Sequence, residues 1–146
     1  MKIDVRTVMR HPNGKPLKAT PDELDDKGNV VKEGEPMTVA NVLVHVALQP
    51  SPPNKVYTSR EQIMRYCLAL DAFKASENND DPEMYVNYKA VALVEDDLNR
   101  IYSSVVAGQL LLLLGYEIDA EGEVVPPAGA RAPPPVTERP LARAQK

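Results

Sequence analysis

The chain has 146 residues, with 17 Lys and Arg against 21 Asp and Glu, and a single cysteine. One cysteine excludes an internal disulfide framework, and a formal net charge of −4 has the wrong sign for a protein that binds by neutralising phosphates or by docking on anionic lipid. No apolar run is longer than that of Leu110 to Leu114, far short of the ~20 residues that cross a bilayer. Met1-Lys2-Ile3-Asp4-Val5 runs into charge, so no signal peptide is expected.

In chain order, Ile3 and Val5 alternate with polar residues, which suits a short strand. Asn13-Gly14, Lys27-Gly28-Asn29 and Glu33-Gly34-Glu35-Pro36 are turn signals, because Gly and Asn tolerate positive φ. Val30-Val31 follows the second of them. Residues 1–36 therefore read as one or two small hairpins with long loops.

Thr38 has the chemistry of a helix N-cap, a hydroxyl able to accept from an unpaired amide of the first turn. Val39, Val42, Leu43, Val46 and Ala47 then recur at the spacing of one helix face. The many valines keep a strand reading open, and Pro50, Pro52 and Pro53 end the element. Ser59 followed by Gln62 reads as a capping box. It opens a second helix whose stripe is expected to be Ile63, Tyr66, Cys67, Leu70 and Phe73 or Lys74, and which stops at Glu77-Asn78-Asn79-Asp80-Asp81-Pro82.

Residues 83–93 fit either a short helix or an extended connection. Glu95-Asp96-Asp97 is read as an acidic first turn, favoured by the helix dipole, of a final helix carrying Leu98, Ile101, Tyr102, Val105, Gln109 and Leu112 or Leu113. Gly108 interrupts this pattern and points to close packing or a kink, and Gly115 falls where a terminating glycine belongs. From Glu117 onward the composition turns first acidic and then rich in proline and arginine, without an apolar face. Such a segment buries too little to offset its chain entropy.

The expected fold is thus α+β, mostly α, with one or more N-terminal hairpins packed on three to four helices. Its globular domain covers 1–116, divided into a turn-rich part, 1–36, and a helical part, 38–115. A disordered Pro-rich tail, 117–146, follows.

No constellation of catalytic or metal-binding type emerges. His11 and His45 lack a neighbouring ligand, so no zinc spacing exists, and His45 reads as a partly buried residue bonded to backbone. Cys67 reads as a small buried hydrophobe without an activating base. The clusters Asp22, Glu23, Asp25, Asp26 and Glu77, Asp80, Asp81, Glu83 lack EF-hand spacing. Phosphate-binding glycine loops are absent. With one Phe and no Trp, little stacking surface exists for single-stranded nucleic acid. Neither enzyme activity nor a cofactor nor a metal is expected. The six tyrosines suit either a protein interface or the rim of the core. The all-round apolar run near the end makes Leu110, Leu111, Leu114 and Tyr116 candidate partner-binding residues.

The order of segments resembles a group of small bacteriophage proteins without assigned activity. The resemblance rests on Met1-Lys2-Ile3-Asp4-Val5, Asn13-Gly14-Lys15-Pro16-Leu17, Pro36-Met37-Thr38-Val39-Ala40-Asn41-Val42-Leu43-Val44, Met64-Arg65-Tyr66-Cys67-Leu68-Ala69, Glu95-Asp96-Asp97-Leu98-Asn99-Arg100-Ile101-Tyr102 and Val106-Ala107-Gly108-Gln109-Leu110. It spans residues 1–115, with an insertion near 19–34, and brings no catalytic residues. It implies a viral accessory or assembly protein in the host cytoplasm or on the virion, acting on a protein partner: itself, another phage protein or a host protein. Two alternatives stand beside it: a tail-assembly chaperone, and a small-molecule binder or enzyme with a pocket between the last two helices near Cys67, Tyr66 and His45.

Overall fold

A computed structural model describes residues 2–127. Four helices and three small antiparallel strand pairs give an α+β fold that is mostly α. The Pro-rich segment beyond 127 lies outside the described residues.

The first strand, β1 (Lys2–Asp4), pairs with β4 (Glu83–Tyr85), Ile3 opposite Met84. The expected hairpin partner close in sequence is therefore replaced by one beyond the second helix, and part of the ambiguous stretch 83–93 is strand. Burial decides this: Ile3 and Met84 both enter the core, while their neighbours stay exposed. The next segment crosses the start of α1 (Val39–Ala47). Val39 and Ala40, which have no carbonyl within their own helix, donate instead to the carbonyls of Thr7 and Val5, satisfying two orphan amides of the first turn. Thr38 is the cap, as its hydroxyl foretold: Asn41 N–H donates to Thr38 Oγ1 and Thr38 N–H to Asn41 Oδ1. All five residues of the predicted stripe on α1 are buried.

The turn-rich region folds back on itself at two places. Gly14, at φ 88°, closes a turn from His11 to Lys15, and Gly28, at φ 82°, closes the hairpin of β2 (Glu23–Leu24) and β3 (Val30–Lys32). Positive φ is cheap only for glycine at these points.

α2 (Ser59–Glu77) begins one residue earlier in its cap than the sequence indicated. The cap is Thr58, which accepts from Glu61 N–H at 3.1 Å while Glu61 Oε1 accepts from Thr58 N–H at 3.1 Å. Two capping boxes overlapped in Thr58-Ser59-Arg60-Glu61-Gln62. The pairing through Glu61 puts a carboxylate rather than an amide beside the positive end of the helix dipole.

α3 (Tyr88–Ile101) starts seven residues before Glu95, capped by Asn87. Glu95-Asp96-Asp97 therefore lies in the second half of the helix, and Asp97 is buried. The long final helix is also divided. Tyr102 and Ser103 are extended, and α4 (Ser104–Leu113) is a separate element. It carries Val106, Ala107 and Leu110 into the core. Gly108 has open space where a Cβ would stand, so close packing does not explain it. Gly115, at φ 95°, ends α4 as expected: Tyr116 N–H bonds the Leu111 carbonyl and Gly115 N–H that of Leu112, the paired closure of a glycine-terminated helix.

Residues 117–125 are not tail but a hairpin, β5 (Glu117–Ile118) with β6 (Val124–Val125). Asp119 Oδ1 accepts from Glu121 and Glu123 N–H, and Gly122 takes φ 83°. The acids that read as a solvated stretch include the residue that builds the turn.

Candidate interaction surface

α2 carries apolar residues on two opposite sides. Its inward side is Arg65, Leu68, Ala69, Ala72 and Ala75, spaced as one helix face. This corrects the expected stripe: Ile63 is 63% exposed, Tyr66 58% and Phe73 54%, Cys67 is exposed with a free thiol, and Leu70 is half-buried. Bulk misled the reading. Three alanines give the inward side so little relief that the α2 backbone can lie close to its neighbours, and the large side chains go to water.

The inward side also holds the best-connected polar group among the described residues. Arg65 Nη2 meets Asp97 Oδ2 at 2.7 Å and donates to the Leu93 carbonyl at 2.9 Å, and Nη1 reaches the Val46 carbonyl at 3.4 Å. Tyr57 donates to Asp97 Oδ2 at 2.8 Å, and Arg65 lies over the Tyr57 ring at 3.9 Å from its centroid. Arg100 holds the second oxygen, Asp97 Oδ1, at 2.7 Å. One guanidinium thus joins α1, α2, α3 and the loop before α2. Burial alone would raise the Asp97 carboxyl, but the hydrogen bonds from Arg100, Tyr57 and Arg65 outweigh it and hold it below the usual carboxylate range. Burial, then the bond to Asp97, push the Tyr57 hydroxyl up. Arg65 Nε is buried without a partner. The geometry is that of a clamp in which one buried carboxylate is shared by two guanidiniums, the buried Arg65 and the exposed Arg100.

Elsewhere the candidate groups disperse. His45 is exposed, and its Nδ1 meets the Tyr102 hydroxyl rather than backbone, the rings standing edge to face at 5.6 Å between centroids. Tyr66 lines a hollow with Leu48, Tyr57, Gln62 and Arg65 that neither Cys67 nor His45 enters. Asp22 accepts from Gly34 N–H and Lys18, and Asp25 from Lys27 and Asn29 N–H. These bonds hold both carboxyls below the usual range and make them loop fasteners. Among the described residues no three His, Cys, Asp or Glu side chains are grouped as a metal site would need, and no helix is long and apolar enough to cross a membrane.

Of the residues named as partner-binding, Leu110, Leu114 and Tyr116 are buried in the chain's own core, and Leu111 is half-buried. Leu110 and Leu114 pack inward because α4 turns its Leu110 side to the core, whereas Leu111 and Tyr116 reach an open groove. What α4 leaves open is an apolar groove of about 670 Å³ between Leu111, Leu112, Gln109 and the residues Ile118 and Val124 of the last hairpin. Burial first, and then the nearby Glu95 carboxylate, raise the Tyr116 hydroxyl at its floor.

No known family model, curated protein or solved structure matches the chain.

Proposed function

We propose that this chain is a non-enzymatic accessory or assembly protein that works by protein–protein contact, in keeping with the phage proteins it resembles, and that the outward face of α2 is its working surface. One observation carries the reading. A helix already anchored by its alanine face and by Arg65 presents Ile63, Tyr66, Leu70 and Phe73 along its opposite side. Contiguous apolar surface of this kind on a folded domain marks an interaction site, and aromatic residues are the side chains that carry interface energy. The way Arg65 ties α1, α2 and α3 together supports a structural role for the molecule's main polar group.

Photo-crosslinking tests this in cells that express the full chain. Benzoylphenylalanine placed at Phe73 is expected to crosslink to a discrete protein, and Tyr66→Lys in the same chain to remove that product. The same probe at the exposed Ala92 of α3 is the control. Equal crosslinking from both positions, or none from Phe73, overturns the assignment.

A further inference from the structure

The spacing along the outward face of α2 points to its occupant: we infer that a second copy of this chain covers it, helix against helix, in antiparallel orientation. The inference rests on the reading of α2 as the working surface and adds its partner.

The outward residues run Ile63, Tyr66, Leu70, Phe73, at steps of three, four and three. That is the spacing of one helix face, which can pack against a second helix, and the step pattern reads the same in both directions. Reversed on itself about a two-fold axis, Ile63 falls against Phe73 of the second copy and Tyr66 against Leu70. Every layer then sets an aliphatic side chain on an aromatic one. A two-fold contact must be self-complementary in this way. The parallel alternative stacks Glu77 on Glu77 and sets Arg60 and Lys74 alongside their own copies. The antiparallel one brings Glu77 beside Arg60 and the N-terminal turn of the second α2, where negative charge is favoured.

The area sets the kind of contact. An aromatic side chain carries roughly 150–250 Å², so with Ile63 63%, Tyr66 58% and Phe73 54% exposed and Leu70 half-buried the face offers on the order of 300–450 Å² per copy. Two copies bury at most about 900 Å² in total, the size of a weak, transient contact rather than of an obligate dimer. Its geometry places the two Cys67 thiols on the same side of the seam, flanking the axis.

The test is sedimentation equilibrium of the full reduced chain from low micromolar to millimolar concentration, with a short bismaleimide as probe of the two thiols. The expected result is a monomer–dimer equilibrium with a Cys67-dependent covalent dimer. Tyr66→Lys and Phe73→Glu should each weaken dimerisation on the order of tenfold or more without lowering the urea midpoint, since both positions face water in the monomer. Cys67→Ser should dimerise normally and fail to crosslink. A dimer that is broken by Tyr66→Lys yet never joined through Cys67 overturns the antiparallel arrangement. A strict monomer overturns the second copy as occupant. If the Phe73 photo-crosslink to a different protein then persists, the working surface stands and only its partner was misassigned; if that too is absent, both readings fall.

Discussion

Arg65 of α2 and Asp97 of α3 form an ion pair at 2.7 Å with 4% and 6% of their side chains exposed. Neither charge could be tolerated alone at that depth. Together with Tyr57 and Arg100 they fix how α2 sits on the rest of the fold, and so which of its two apolar sides reaches water.

Breaking the pair from one side is expected to be severe. Asp97→Leu strands the buried Arg65 charge and should cost about 3–5 kcal/mol, whereas Arg65→Met leaves Asp97 with Tyr57 and Arg100 and should cost less. Combining the two should recover a sizeable part of the larger loss. Urea midpoints of the wild type, both single variants and the double variant measure the coupling; additive losses would show that the two residues do not depend on each other.

Acid should act through the same carboxylate. Because Asp97 is held below its ordinary value in the folded chain, the native state binds fewer protons than the unfolded one as pH falls. Its contribution is complete above the unfolded carboxylate value of about 3.9 and is lost as pH drops through the lower folded value. Asp97→Asn, weaker at neutral pH, should show a flatter decline in melting temperature below about pH 4. The residual slope belongs to Asp22, Asp25 and Glu61, whose carboxyls are lowered as well.

The cap of α2 distinguishes two adjacent hydroxyls. Thr58→Ala should cost about 1 kcal/mol, whereas Ser59→Ala, which removes no capping bond, should stay within about 0.5 kcal/mol. The reverse order would place the start of the helix one residue later.

Two glycines should respond oppositely to alanine. At Gly34 a Cβ would stand 1.9 Å from the Thr20 carbonyl oxygen, so Gly34→Ala must open the loop that Asp22 fastens and should destabilise it. At Gly108 the space is empty, and Gly108→Ala should stabilise α4 by about 0.5–1 kcal/mol. Thermal unfolding of both variants reads the contrast.

The parts of this fold that were legible in the sequence are those where one signal acted alone. Thr38 had no competing cap, and although the valines of α1 left a strand reading open, the buried residues follow the helical spacing from Val39 to Ala47. α2 has two apolar sides, and periodicity cannot say which one the tertiary structure will choose. The small residues won because close helix approach needs them, and the exposed seam was therefore mistaken for core. Asp97 was misplaced because an acid cluster resembles a first turn whether or not a buried arginine awaits it. That arginine, Arg65, was visible only as an interruption on the side of α2 that had not been taken for core. The pairing of β1 with β4 spans the first two helices and leaves no local trace. The hairpin at 117–125, by contrast, did carry a signal. Asp119 to Glu123 repeats the arrangement of Asp25 to Asn29, with the aspartate three residues before a glycine at positive φ. It was obscured by the acidity around it. For the candidate surface itself, the residues Ile63, Tyr66, Leu70 and Phe73 were all identified, but assigned to the wrong side of the molecule.

Hydroxyl-radical footprinting tests that assignment most directly, because it reads the exposure of individual side chains. In the dilute purified chain, Tyr66 and Phe73 should be oxidised as readily as Tyr85, which is 74% exposed. In cells expressing the full chain, Tyr66 and Phe73 should become protected while Tyr85 remains reactive. Protection of Tyr66 and Phe73 already in the dilute monomer, or equal reactivity of all three residues in the cell, would contradict the outward face of α2 as the surface through which this protein works.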